Sequence, residues 1–125
     1  MPTGLILFAH GSRDPEWARP FEALVVRVRA LLVPGTPVRL AFLELMQPDL
    51  QAAAAELVAG GVDAIRIIPI FLAQGGHLRQ DLPERAEPLR TKYPNVKFEY
   101  TPPAGEDGAV LDAVAAFCVR GLEQR

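Results

Sequence analysis

The chain holds two histidines, and each lies just past a run of apolar, strand-like residues. His10 closes Leu5-Ile6-Leu7-Phe8-Ala9 and opens His10-Gly11-Ser12-Arg13. His77 follows Ile65-Arg66-Ile67-Ile68-Pro69-Ile70-Phe71-Leu72 through Ala73-Gln74-Gly75-Gly76. Strands of a parallel sheet present their carboxyl ends on one edge, where open α/β folds bind ligands. Two imidazoles distant in sequence can therefore meet in one crevice. Neutral imidazole ligates metals and moves protons near neutral pH, so the pair points to metal or proton chemistry. Glu44, which ends the run Phe42-Leu43-Glu44, adds a carboxylate able to complete a metal site or take a proton. It reads equally well as a solvated strand-end charge.

Each histidine loop also has a plain structural reading. In His10-Gly11-Ser12-Arg13-Asp14-Pro15, glycine permits an unusual backbone turn, and Ser12 and Asp14 can cap the amides of the helix that follows. Gln74-Gly75-Gly76-His77-Leu78-Arg79-Gln80-Asp81 repeats the ingredients: glycine, histidine, arginine, aspartate. Asp81 and Glu84 suit the start of a helix, where the macrodipole favours acidic groups. Arg13 and Arg79 can pair with ligand carboxylates or phosphates, or serve as ordinary surface cations. What favours function is the joint pattern, since the only two histidines occupy equivalent strand ends.

The elements that must position these groups alternate along the chain. Strand candidates are Leu5–Ala9, Val38–Leu43, Ala64–Leu72 and Val96–Tyr100. The first and third are nearly continuous in apolar residues, as central strands covered on both faces are. The second and fourth carry Arg39, Lys97 and Glu99 in alternation, which suits sheet edges. Pro69 cannot donate to a central ladder, so it marks a bulge or a strand end.

Between the strands, Phe21, Leu24, Val25, Val28, Leu31 and Leu32 fall at helical spacing. Pro48-Asp49-Leu50 starts an alanine-rich helix that Gly60-Gly61 ends. Residues 78–93 are helical in tendency but contain Pro83 and Pro88, and at least one of these is expected to break or kink the helix. Val110, Leu111, Val114, Phe117, Cys118 and Leu122 form a final apolar stripe, which predicts a buried, structural thiol at Cys118.

Strands alternating with helices imply right-handed βαβ units and a mostly parallel sheet. The expected architecture is α/β, a flavodoxin-like three-layer sandwich with a four-stranded parallel sheet in the order 2-1-3-4. That order makes the first and third strands neighbours and brings His10 beside His77.

Composition narrows the function classes. A chain of 125 residues supplies one domain with a core, expected to span 1–125. Half of the residues are hydrophobic and 22% are charged, as in folded globular proteins. The net charge of -2 argues against a dedicated nucleic-acid binder, whose footprint is basic. One cysteine excludes an internal disulfide and a cysteine-ligated cluster within one chain. No export signal or membrane-length apolar run is read in the sequence, so the expected setting is the cytoplasm.

Phe8-Ala9-His10-Gly11-Ser12-Arg13, Phe42-Leu43-Glu44 and the segment from Pro69 through His77-Leu78-Arg79-Gln80-Asp81 to Pro83 together resemble the short CbiX-type sirohydrochlorin chelatases, over roughly residues 4–100. The resemblance implies a class II chelatase half-domain, two copies of which form a homodimer around the active cleft. It implies insertion of a divalent metal, Co²⁺ foremost with Fe²⁺ or Ni²⁺ as alternatives, into sirohydrochlorin, with no organic cofactor. His10 and His77 would hold the metal or take protons, with Glu44 assisting. Arg13 and Arg79 would orient the substrate's carboxylates, and Leu78 and Phe71 would contact the macrocycle. Two other classes are weighed against this: a carrier that binds metal or tetrapyrrole without catalysis, and a histidine phosphatase. The second is weakened by Ala9, where the phosphatase pattern has arginine.

Overall fold

The computed structural model describes residues 2–73 and 76–123, except that the side chains of residues 76–79 lie outside the description. The chain alternates as expected: β1 (Thr3–Ala9), α1 (Arg19–Leu31), β2 (Val38–Phe42), α2 (Leu50–Ala59), β3 (Ala64–Pro69), α3 (Gly76–Lys92), β4 (Lys97–Tyr100) and α4 (Gly108–Glu123). The four strands form one parallel sheet in the order β2-β1-β3-β4. β1 and β3, the apolar runs, are central, and the charged β2 and β4 are the edges.

Register decides where the strands stop. Ala9 pairs with Phe42, and Phe8 pairs with Pro69, so the carboxyl ends of β1, β2 and β3 are level. Pro69 ends β3 rather than interrupting it, and the strand is three residues shorter than its apolar run. Beyond it, the Ile70 amide still donates to the Phe8 carbonyl at 2.8 Å.

Alternation along each strand divides the core in two. Ile6, Phe8, Ile65, Ile67 and Phe98 face α2 and α3, whose Leu50, Ala53, Ala54, Leu57, Leu82 and Leu89 complete that cluster. Leu7 and Val38 face Val25 of α1 on the other side. Leu31 departs from the expected α1 stripe and is exposed, because the helix ends there and the chain turns away at Leu32. α2 begins at Asp49, whose carboxylate accepts the Ala52 amide at 2.9 Å.

A break in α3 and the burial of Cys118 are both absent from the structure. Pro83 and Pro88 lie inside α3, which runs unbroken through both. Leu82, Ala86 and Leu89 recur on its inner face and are buried. A buried leucine contributes about 1.5–3 kcal/mol, the same order as the roughly 3 kcal/mol cost of an interior proline, so packing holds the helix together. Cys118 is exposed, not buried, because no residue of α4 is buried. The apolar stripe is present, but nothing in the described chain covers it. No helix among the described residues is long and apolar enough to cross a membrane.

Candidate functional site

The site grows from the level ends of β1 and β2. Past those ends the pairing continues for two residues: the Leu43 amide donates to the Ala9 carbonyl at 2.8 Å, and the Glu44 amide to the His10 carbonyl at 3.1 Å. This backbone zipper sets Glu44 directly beside His10. His10 Nε2 then lies 3.2 Å from Glu44 Oε1, with the two side chains 48% and 54% exposed. A pair so open to water contributes little stability. It remains accessible to solute, as a reactive group must be.

Two features hold the pair in place. Gly11 has φ +97, and a Cβ there would sit 1.8 Å from the Glu44 carbonyl oxygen. Only glycine permits both the left-handed backbone and this close approach. Beneath the imidazole, Phe71 meets the His10 ring edge-on at 6.3 Å between centroids, and meets Phe8 likewise at 6.1 Å. Phe71 is itself buried. It therefore supports His10 from below and does not offer its face to a macrocycle, contrary to expectation. The apolar surface that is exposed beside these groups belongs instead to Leu45 and Leu72, which directly follow Glu44 and Phe71. Sequence reasoning passed over both, since an exposed leucine at a strand end looks like any core leucine until the fold is known.

Leu45 also has a left-handed backbone, φ 67. A non-glycine residue in that region carries a cost of about 1–2 kcal/mol, and strain of this kind clusters at functional sites. The loop that bears His10 is locally ordered. The Asp14 amide donates to Ser12 Oγ at 3.1 Å, and Asp14 Oδ1 accepts the Glu16 amide at 3.0 Å, capping a short 3-10 turn, Pro15–Ala18. Arg13 is exposed and makes no ion pair with a described residue.

His77, Leu78 and Arg79 fall in the first turn of α3, and their side chains lie outside the described residues. The base of the preceding segment is nonetheless fixed. The Gly105 amide donates to the Phe71 carbonyl at 2.8 Å, and a Cβ on Gly105 would meet the Leu72 carbonyl oxygen at 1.6 Å. The segment leading to His77 thus leaves the same sheet edge that bears His10. Among the described residues no three His, Cys, Asp or Glu side chains converge as a metal site; the described members of the predicted set are His10 and Glu44.

Chemically, an imidazole bonded to a carboxylate through Nε2 keeps Nδ1 as its second nitrogen. A carboxylate that accepts one ring N–H fixes the tautomer and raises the basicity of the other nitrogen. The pair can hold a cation, or accept a proton and share it.

Comparison with known proteins extends this. The CbiX family model matches residues 4–118. The chain is 29% identical over 109 residues to the sirohydrochlorin cobaltochelatase of Sulfurisphaera tokodaii, covering 87% of this chain and 85% of that protein. It is 29% identical over 115 residues to the sirohydrochlorin ferrochelatase of Bacillus subtilis, covering 91% of this chain but only 43% of the longer protein. The crystal structure of a CbiX protein from Marinobacter aquaeolei VT8 superposes with a TM-score of 0.88 at 30% identity, covering 99% of this chain and 100% of that one.

Proposed function

This chain belongs to the CbiX family, and from that footing we propose that it is a sirohydrochlorin chelatase, inserting a divalent metal ion into the macrocycle. The observation that carries the proposal is the His10–Glu44 pair, 3.2 Å apart and half-exposed at the carboxyl edge of the sheet. Relatives that act on sirohydrochlorin include a cobaltochelatase and a ferrochelatase. Neither the carrier nor the phosphatase reading has support among them.

Insertion replaces two pyrrolic N–H protons by one M²⁺, so the site must present a metal and remove protons. In the proposed assignment, Nδ1 of His10 binds the incoming ion while Glu44 holds Nε2–H and orients the ring. His77, in the first turn of α3, supplies the second imidazole. As the metal leaves for the macrocycle, the two freed imidazoles, His10 and His77, each accept one of the two pyrrole protons, and Glu44 stabilises the cation formed at His10. Arg13 and Arg79 orient the carboxylates of the substrate. Leu78, with the exposed Leu45 and Leu72, provides apolar surface for the ring system.

Co²⁺ is the metal we assign first, with Fe²⁺ or Ni²⁺ as the alternatives. Imidazole and carboxylate ligands do not choose among these ions, and geometry and supply do. Residues 1–125 act as one domain in this reading, and two copies pair to close the cleft. A cytoplasmic setting belongs to the same proposal, and an exposed free thiol at Cys118 suits a reducing compartment.

The test is direct. Metal-stripped protein is mixed with sirohydrochlorin and the macrocycle absorbance followed with Co²⁺, Ni²⁺ or anaerobic Fe²⁺. Acceleration over metal alone that disappears in His10→Ala and His77→Ala is the expected result. A folded protein that accelerates insertion of none of the three ions overturns the assignment.

A further inference from the structure

His10 is flanked by residues that follow both neighbouring strands. On the β2 side its partner is Glu44. On the β3 side the register pairs Ile6 with Ile67 and Phe8 with Pro69, and carried two residues further it sets Phe71 opposite His10. Side chains two apart along extended chain share a face. Ile6, Phe8 and His10 thus line up with Ile67, Pro69 and Phe71 on the side of the sheet that carries α2 and α3. The ladder still holds at this point, because the Ile70 amide bonds to the Phe8 carbonyl at 2.8 Å.

The two flanking contacts differ in kind. Glu44 and His10 meet in water, and an ion pair in that setting holds its partners weakly. Phe71 is only 9% exposed and belongs to the main core cluster. Its ring meets Phe8 at 6.1 Å between centroids and His10 at 6.3 Å, at 71° and 76° between planes. Both separations lie in the range at which edge-to-face rings attract. The imidazole therefore has one solvated neighbour and one anchored in the core.

Phe71 is itself fixed from behind. A short 3-10 turn, Ala104–Glu106, lies against its backbone with Gly105 buried. The Gly105 amide donates to the Phe71 carbonyl at 2.8 Å. A Cβ on Gly105 would stand 2.5 Å from Leu72 Cα as well as 1.6 Å from the Leu72 carbonyl oxygen. No side chain fits between the two backbones, so the turn closes on residues 71–72 only with glycine there. The chain departs toward α3 from this braced backbone.

We propose that Phe71 is a positioning residue for His10, with Gly105 bracing Phe71 in turn. It holds the imidazole in the rotamer that turns Nε2 to Glu44 and leaves Nδ1 for the metal. This rests on the chelatase reading above and adds to it a residue that touches neither metal nor macrocycle. Handing an ion from one ligand to the next depends on where the first ligand stands. A misplacement of about 1 Å can cost on the order of 100-fold in rate. A solvated ion pair does not hold an imidazole to that tolerance, whereas a ring locked by core packing does.

The experiment compares Phe71→Leu with Phe98→Leu in the intact protein. Both variants remove a ring from the same buried cluster, but Phe98 pairs with Ile65, toward the opposite end of β3 from His10. Urea unfolding puts the two on one scale of stability. Three-bond NMR couplings of labelled protein report the χ1 rotamer of His10, and insertion assays give kcat and KM. The wild-type protein is expected to show a single His10 rotamer and NOEs between the His10 and Phe71 rings. Phe71→Leu should average the couplings and lower kcat by about 10- to 100-fold, with KM for sirohydrochlorin unchanged. Phe98→Leu should leave the couplings and kcat as they are in the parent. Averaged couplings in the wild-type protein, or no NOE from His10 to Phe71, overturn the proposal before any variant is made. A loss of kcat no greater in Phe71→Leu than in Phe98→Leu also overturns it and leaves the chelatase reading intact. A wild-type protein that fixes His10 through Phe71 but inserts no metal supports the positioning and removes the functional reading instead.

Discussion

His10 Nε2 and Glu44 Oε1 are 3.2 Å apart although 34 residues separate them in the chain. Two extra backbone hydrogen bonds beyond the β1–β2 pairing bring them together, so the contact is a product of strand register. At 48% and 54% side-chain exposure the contact contributes little to stability.

Replacing either member should therefore affect activity far more than folding. Glu44→Gln is expected to lower Co²⁺ affinity or insertion rate by about 10- to 100-fold, the usual effect of removing the carboxylate behind a ligating histidine. His10→Ala should cost at least about 100-fold, with stability within roughly 0.5 kcal/mol of the parent. Titration with Co²⁺ and the insertion assay, set beside urea unfolding, measure both. A Glu44→Gln protein of full activity would remove Glu44 from the mechanism.

If His10 and His77 hold the same ion, their losses are not additive. The double variant should be no worse than about the poorer single variant, as for residues that act as a unit. Insertion rates of the two single variants and the double variant decide this. Multiplying losses would mean that the histidines perform separate steps.

Gly11→Ala and Gly105→Ala should both destabilise, because the added methyl meets a carbonyl oxygen at 1.8 Å in one case and 1.6 Å in the other. Gly35 has φ +90 but open space around it, so Gly35→Ala isolates the conformational cost, about 1 kcal/mol. The first two are expected to exceed that by at least roughly 1–2 kcal/mol in urea denaturation. Equal effects at all three positions would show that the close contacts relax freely.

Pro88 is an exposed interior residue of α3, and its missing N–H leaves the helix one hydrogen bond short. Pro88→Ala should stabilise the protein by about 1–3 kcal/mol, read as a higher denaturation midpoint. A lower midpoint would mean that the proline shapes α3 to fit the sheet.

The failures of sequence reading share a cause with its successes. Periodicity located β1, α2 and β4 because alternation and helical spacing are local properties of side chains and backbone. It overrated the prolines of α3 because the burial of Leu82, Ala86 and Leu89, which keeps the helix intact, depends on a surface formed elsewhere. It took the α4 stripe and Cys118 as buried because an apolar face records a demand for cover, not the place where cover is found. Phe71 was misplaced for a similar reason. Its position after β3 was legible, but whether its ring pointed up to a ligand or down onto Phe8 was not.

By itself, the sequence determined the strand–helix alternation, the central place of the two apolar strands, the histidine at the end of β1 and the family resemblance carried by its motifs. These follow from local chemistry and from residues adjacent in the chain. Tertiary structure alone decided that Glu44 meets His10, that Phe71 lies beneath the imidazole and that α4 stands clear of the sheet. Each depends on register or on the direction of a connection. A shift of one residue in strand pairing reverses every side chain on that strand, and no local pattern encodes the partner's position.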